Sequence, residues 1–228
     1  MRLLTSTKLK LAYVGLAAVD TWLSSVPGKV AHRARFVTKP LLMPTLSASL
    51  ITNPKASDSP LRTSTVAAQV GGWGGDVALL GEGTKPFLVG VGSFGLGHVA
   101  YLTGFLRQHG HSDPRQAVGP RAVAGSWALT APVMAFMAGR RNSDLGGPVF
   151  GYATMLAAMA AAANFLDTDL PPSARRLTAA GAGLFMVSDS LLGFRKFAMT
   201  NPPPQLETAV MATYTAAQFL LSEGAARA

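Results

Sequence analysis

Eight apolar segments, each close to the length of a bilayer crossing, leave this chain few ways to fold. A membrane span takes about 20 mostly apolar residues, within a range near 17–25. The segments Leu9–Val26, Phe36–Thr52, Thr63–Leu80, Phe87–Leu106, Ala122–Ala138, Pro148–Phe165, Ala174–Leu192 and Leu206–Leu221 all come near it. Proline, glycine, asparagine and charged residues punctuate them, as at Pro27-Gly28, Asn53–Pro60 and Arg107–Pro120. The expected fold is all-α: one polytopic transmembrane helical bundle over residues 1–228, with about eight spans. Thr63–Leu80 and Ala122–Ala138 carry the weakest patterns, so seven spans are close behind.

Charge agrees with this reading. Only 14% of the residues are charged, against roughly 25% in soluble domains. The net charge of +9 would point to nucleic acid in a soluble protein. Here the basic residues lie between apolar blocks, where anionic headgroups account for them, and the loops lack the aromatic residues that nucleic-acid binding uses. No nucleic-acid partner is expected. The chain has no cysteine, which excludes disulfides and thiolate metal sites. Arg2, Lys8 and Lys10 precede the first apolar run as they would in a signal peptide. The run is longer than a signal sequence, contains Asp20 and lacks a small-x-small cleavage site, so it reads as a retained first helix. Arginine exceeds lysine, and alanine and glycine are abundant, which suggests a GC-rich bacterial genome and hence the inner or plasma membrane. Lys and Arg lean only slightly toward a cytoplasmic N-terminus.

Three acids stand out against this background. Asp76 ends the run Gly71-Gly72-Trp73-Gly74-Gly75, Asp189 lies between Ser188 and Ser190, and Asp20 precedes Thr21-Trp22. An acid at the centre of a span costs about 2.5–3.5 kcal/mol on insertion scales, so such residues usually face a protein interior and serve a function. They fall in the first, third and seventh segments, which cross the membrane in the same direction. With about 3–6 residues left in each segment, they sit about 5–9 Å from the same face. Three acids therefore share one level. Thr38-Lys39-Pro40 and Thr84-Lys85-Pro86, each expected to open a span, and Arg195-Lys196 leave from that face. Acids beneath cations would suit a substrate with a phosphate near the interface. Asp76 to Gly81 and Asp189 to Gly193 also echo one another, as in a parallel four-plus-four repeat; chance explains so short a match equally well. Asp20 is balanced between a functional role and a structural or solvated helix end.

Other polar residues have plainer readings. His98 is alone in mid-span, and His32, His109 and His111 lie in loops, so no three-histidine zinc site and no H-E-x-x-H arises. A single such histidine is first a hydrogen-bonded core residue. Tyr214 and Gln218 share a helical face, as interhelical glue or as site lining. There is no G-x-S-x-G elbow, Walker loop or dinucleotide fingerprint. Neither metal nor cofactor is expected.

The pattern resembles the YhhN family of integral membrane proteins, which includes the animal lysoplasmalogenases. The resemblance rests on Lys39-Pro40, on Gly75-Asp76 and on Phe87-x-x-Gly90-x-x-Ser93-Phe94-x-x-x-His98-x-x-Tyr101. Ser188-Asp189 and Tyr214-x-x-x-Gln218 complete it. It spans most of the chain and implies eight spans and hydrolysis of the vinyl ether of a lysoplasmalogen. That reaction yields a fatty aldehyde and a glycerophospho-alcohol. The chemistry calls for one protonated carboxyl and one carboxylate, as in glycoside hydrolysis, where paired acids handle a similar cation. Asp76 and Asp189 are the expected pair, in either order. Lys39 and Lys85 are expected to hold the phosphate, and His98, Tyr101, Tyr214, Gln218 and Asp20 to complete the substrate site. A small proton-coupled transporter is the alternative, since intramembrane acids also relay protons; a hydrolase of another lysolipid or ether lipid, or a non-catalytic scaffold, follows.

Overall fold

The positions where the chain cannot continue a helix define the architecture. In the computed structural model, which describes residues 4–110 and 118–228, eight α-helices follow one another. They are α1 (Thr5–Ser25), α2 (Lys29–Ile51), α3 (Arg62–Ala78), α4 (Thr84–Arg107), α5 (Val118–Arg141), α6 (Gly146–Ala163), α7 (Pro172–Gly193) and α8 (Pro204–Ala225). Gly28 and Gly83, with φ of 112° and 95°, reverse the chain just before α2 and α4 in a region that favours glycine. Pro172 and Pro204 open α7 and α8, where the missing N–H costs nothing. Among the described residues no strand forms, and a single antiparallel bridge joins His109 to Leu166. Arg2 and His111, invoked above, lie outside the described residues.

Every expected apolar segment contains a helix, and most helices overrun their segment. The largest difference is in α2. It begins at Lys29, so Lys39-Pro40 lies in the helix interior and does not open a span. Apolar pattern marks where a helix meets lipid, whereas the helix itself runs on through Arg33 and Arg35. Pro40 and Pro44 both sit inside it. Pro44 has no N–H to offer the Pro40 carbonyl one turn back. The indole of Trp73 on α3 donates to that carbonyl instead, at 3.0 Å.

Among the described residues, four helices are long and apolar enough to cross a membrane: α4, α5, α6 with its preceding turn, and α7 extended to Ala198. Of the other four, α3 is short at 17 residues, and all four carry buried polar residues of the interior. Asp20 is on α1, Lys39 on α2, Gln69 and Asp76 on α3, and Gln218 on α8. Outward-facing residues such as Leu96, Leu129 and Phe136 are apolar and exposed. Apolar outside and polar inside is the distribution expected of a bundle in lipid.

Helices pack as the hairpins α1–α2, α3–α4, α5–α6 and α7–α8, and the ring runs α1, α2, α3, α4, α6, α7, α8 and back to α1. Helix α5 lies outside it against α6 and buries only Ala131 and Ala138. Closure differs between the halves, with α1 on α8 but α4 on α6. Glycine permits the closest approach. A Cβ on Gly71 of α3 would lie 2.7 Å from the backbone nitrogen of Gly97 on α4. One on Gly75 would enter the ring of Phe94. The glycine run before Asp76 thus serves to press α3 onto α4.

Candidate active site

Helices α3 and α7 each deliver one carboxylate to the same cavity. Asp76 lies in the last turn of α3 and is 1% exposed. Asp189 lies near the end of α7. Both line a cavity of about 210 Å³ whose walls are otherwise mostly apolar, with Phe87, Val91, Met134, Leu156 and Met186 among them.

Each acid has its own tyrosine. The Tyr214 hydroxyl on α8 donates to Oδ2 of Asp76 at 2.7 Å. The Tyr152 hydroxyl on α6 donates to Oδ2 of Asp189. Asp76 has a second partner, since Nζ of Lys39 lies 3.6 Å from its Oδ1. Asp189 makes no ion pair among the described residues. An ammonium beside one acid and none beside the other separates two chemically identical groups.

The tyrosines stand on a shared aromatic floor. Phe94 and Phe185 meet the Tyr214 ring edge-on at 5.8 and 5.5 Å between centroids. His98 packs edge-on against Phe185 at 4.8 Å. Nε2 of His98 lies 3.0 Å from the Tyr152 hydroxyl. The Tyr152 proton goes to Asp189, so the hydroxyl oxygen accepts from His98 Nε2–H. That places the imidazole proton on Nε2 and leaves Nδ1 buried without a partner.

The sequence-predicted residues divide clearly. Asp76, Asp189, Lys39 and Tyr214 line the cavity. His98 stands one residue behind it, through Tyr152. Tyr101 donates to Oε1 of Gln218 at 2.8 Å, and neither residue is in the cavity wall. Lys85 is exposed on the first turn of α4 and is not in the wall either. Asp20, fully buried, turns away from the cavity: it accepts from Thr38 at 2.6 Å and from Arg35 at 3.3 and 3.4 Å. Arg35 continues to Glu207 at 3.3 Å, and Glu207 to Arg195 at 3.1 Å. Glu207 and Arg195 do line the cavity. Among the described residues, no group of three His, Asp or Glu side chains comes together as a metal site.

Two features escaped the sequence reading. Tyr152 is one aromatic residue in an alanine-rich helix, with no neighbouring motif to mark it. After Gly193 the chain widens into a π-helical turn, Phe194–Ala198, which carries Arg195 and Lys196 into the cavity wall. Such turns recur at functional sites. Arg141 of α5 fixes its far end by donating to the carbonyls of Phe197 and Met199 at 3.2 and 2.9 Å.

Residues 34–225 match the model of the YhhN family. No curated protein and no solved structure matches the chain.

Proposed function

Because the chain belongs to the YhhN family, we propose that it is a membrane-embedded hydrolase that cleaves the vinyl ether of lysoplasmalogens. The supporting observation is a pair of carboxylates, Asp76 and Asp189, on one largely apolar cavity, each with its own tyrosine donor and only one with a cation. The apolar wall suits a lipid chain, and the paired acids suit a reaction that passes through an oxocarbenium ion.

In this reading Asp189 begins protonated and Asp76 begins ionised, held so by Lys39 and Tyr214. Asp189 gives its proton to the outer vinyl carbon, and the oxygen-bearing carbon becomes cationic. The Asp76 carboxylate stabilises that cation and takes a proton from the water that adds to it. A hemiacetal results. Its hydroxyl proton returns to Asp189, the glycerol oxygen takes a proton from Asp76, and the C–O bond breaks. Aldehyde and glycerophospho-alcohol leave with both acids restored.

The test uses purified protein in detergent with 1-alkenyl lysophosphoethanolamine in D₂O, reducing the aldehyde as it forms. One deuterium is expected on the carbon next to the former carbonyl, and the saturated 1-alkyl lipid should be inert. Folded protein that releases no aldehyde would overturn the reading. Proton-coupled uptake into proteoliposomes without product would favour a transporter.

A further inference from the structure

The cavity has a buried end and an open one. Asp76 and Lys39 are buried, whereas Lys196 lines the same cavity and is exposed. The open end is cationic. Arg195 and Lys196 lie there with Glu207, two positive charges against one negative, and Arg35 and Asp20 stand behind Glu207, outside the cavity wall. Glu207 is already shared between two arginines, through Oε1 to Arg35 and Oε2 to Arg195. Lys196 makes no ion pair among the described residues and rests over the Phe87 ring at 4.6 Å. Nε of Arg195 is buried without a hydrogen-bond partner.

We propose that Arg195 and Lys196 bind the phosphate of a lysophospholipid headgroup at this open end of the cavity. The π-helical turn is what sets the two successive residues along one wall. Asp20, Arg35 and Glu207 are then positioning residues: each orients the next, and the last orients Arg195. Asp20 thereby has a role in the site without touching the ligand. A guanidinium and an ammonium side by side can engage two phosphate oxygens. A headgroup held here directs its single chain inward, past the two aspartates. The proposal rests on the hydrolase reading only for the identity of the lipid.

Binding can be separated from turnover with a saturated ether. Native mass spectrometry of the full chain in mild detergent would follow three arms: 1-alkyl lysophosphoethanolamine, 1-alkylglycerol without phosphate, and inorganic phosphate as competitor. Lys196→Gln should weaken the lysophospholipid about tenfold, and Arg195→Gln at least as much, since each removes a charge-assisted contact. Binding of 1-alkylglycerol should not change in either. Lys196→Gln breaks no ion pair, so it keeps the test decisive if Arg195→Gln does not fold. Unchanged lysophospholipid binding in Lys196→Gln, or equal loss for both lipids, would overturn the assignment. Displacement of the lipid by inorganic phosphate at equal concentration would assign the pair to free phosphate and overturn the headgroup. The saturated lipid is not hydrolysed, so these outcomes stand whether or not the vinyl ether is the substrate bond.

Discussion

Asp76 and Asp189 differ by one neighbour, and that difference makes their tyrosines unequal. Tyr152 is the one hydrogen-bond donor to Asp189 among the described residues, while Asp76 keeps Lys39 if Tyr214 is lost. A hydrogen bond to a charged group contributes about 1.5–3 kcal/mol, or roughly 10- to 100-fold in rate. Tyr152→Phe should therefore lower kcat by at least about tenfold. Tyr214→Phe should lower it less, as initial rates at saturating lipid would show; the reverse order would contradict the assignment of Asp189 as proton donor. Both aspartates were legible in the sequence because an acid in an apolar run is conspicuous. Tyr152 was not, since a tyrosine in an alanine-rich helix can face lipid, interface or interior, and only its direction around the helix decides. Asp20 illustrates the same limit. Spacing put it late in its apolar segment but says nothing of its direction, and its side chain turns to Arg35 and Thr38.

Helix contacts at the site depend on the glycines of α3. Gly71 abuts the Gly97 backbone, which has no side chain to move aside. Gly71→Val should part α3 from α4 and destabilise the protein by about 1–3 kcal/mol, as overpacking does. Gly92→Ala, with no neighbour atom within 4 Å of the added Cβ, should be close to neutral. Thermal unfolding in one detergent compares the two, and equal effects would show that the helices are not held this closely. The eight helices could be read from the sequence because apolar length and Gly or Pro punctuation are local properties. The start of α2 could not, since Lys29–Arg35 is polar and still helical. The π-helical turn after Gly193 was also hidden, because Phe-Arg-Lys-Phe-Ala has no feature that separates it from the end of an ordinary helix.

The bundle as a whole is polar where its helices converge and apolar where they face outward, and this inversion locates the cavity. Among the described residues, four helices pass as spans on length and composition, and the remaining four carry Asp20, Lys39, Asp76 and Gln218 inside the bundle. Which helices adjoin could not be read from the chain, because outward faces of similar composition do not specify a neighbour. So the packing of α4 on α6, with α5 left outside, emerges only in three dimensions. Where α6 meets α7, Tyr152 reaches Asp189, and both line the cavity that Asp76 lines. The central claim is that Asp76 and Asp189 act as one catalytic unit, which a comparison of four proteins tests most directly. Aldehyde release from 1-alkenyl lysophosphoethanolamine would be measured for the wild type, Asp76→Asn, Asp189→Asn and the double variant, each shown to be folded. Groups that act together are strongly non-additive. Each single variant should lose at least about 10²–10⁴-fold in rate, and the double variant should be no slower than the singles. Near-normal release by either folded single variant would contradict the claim.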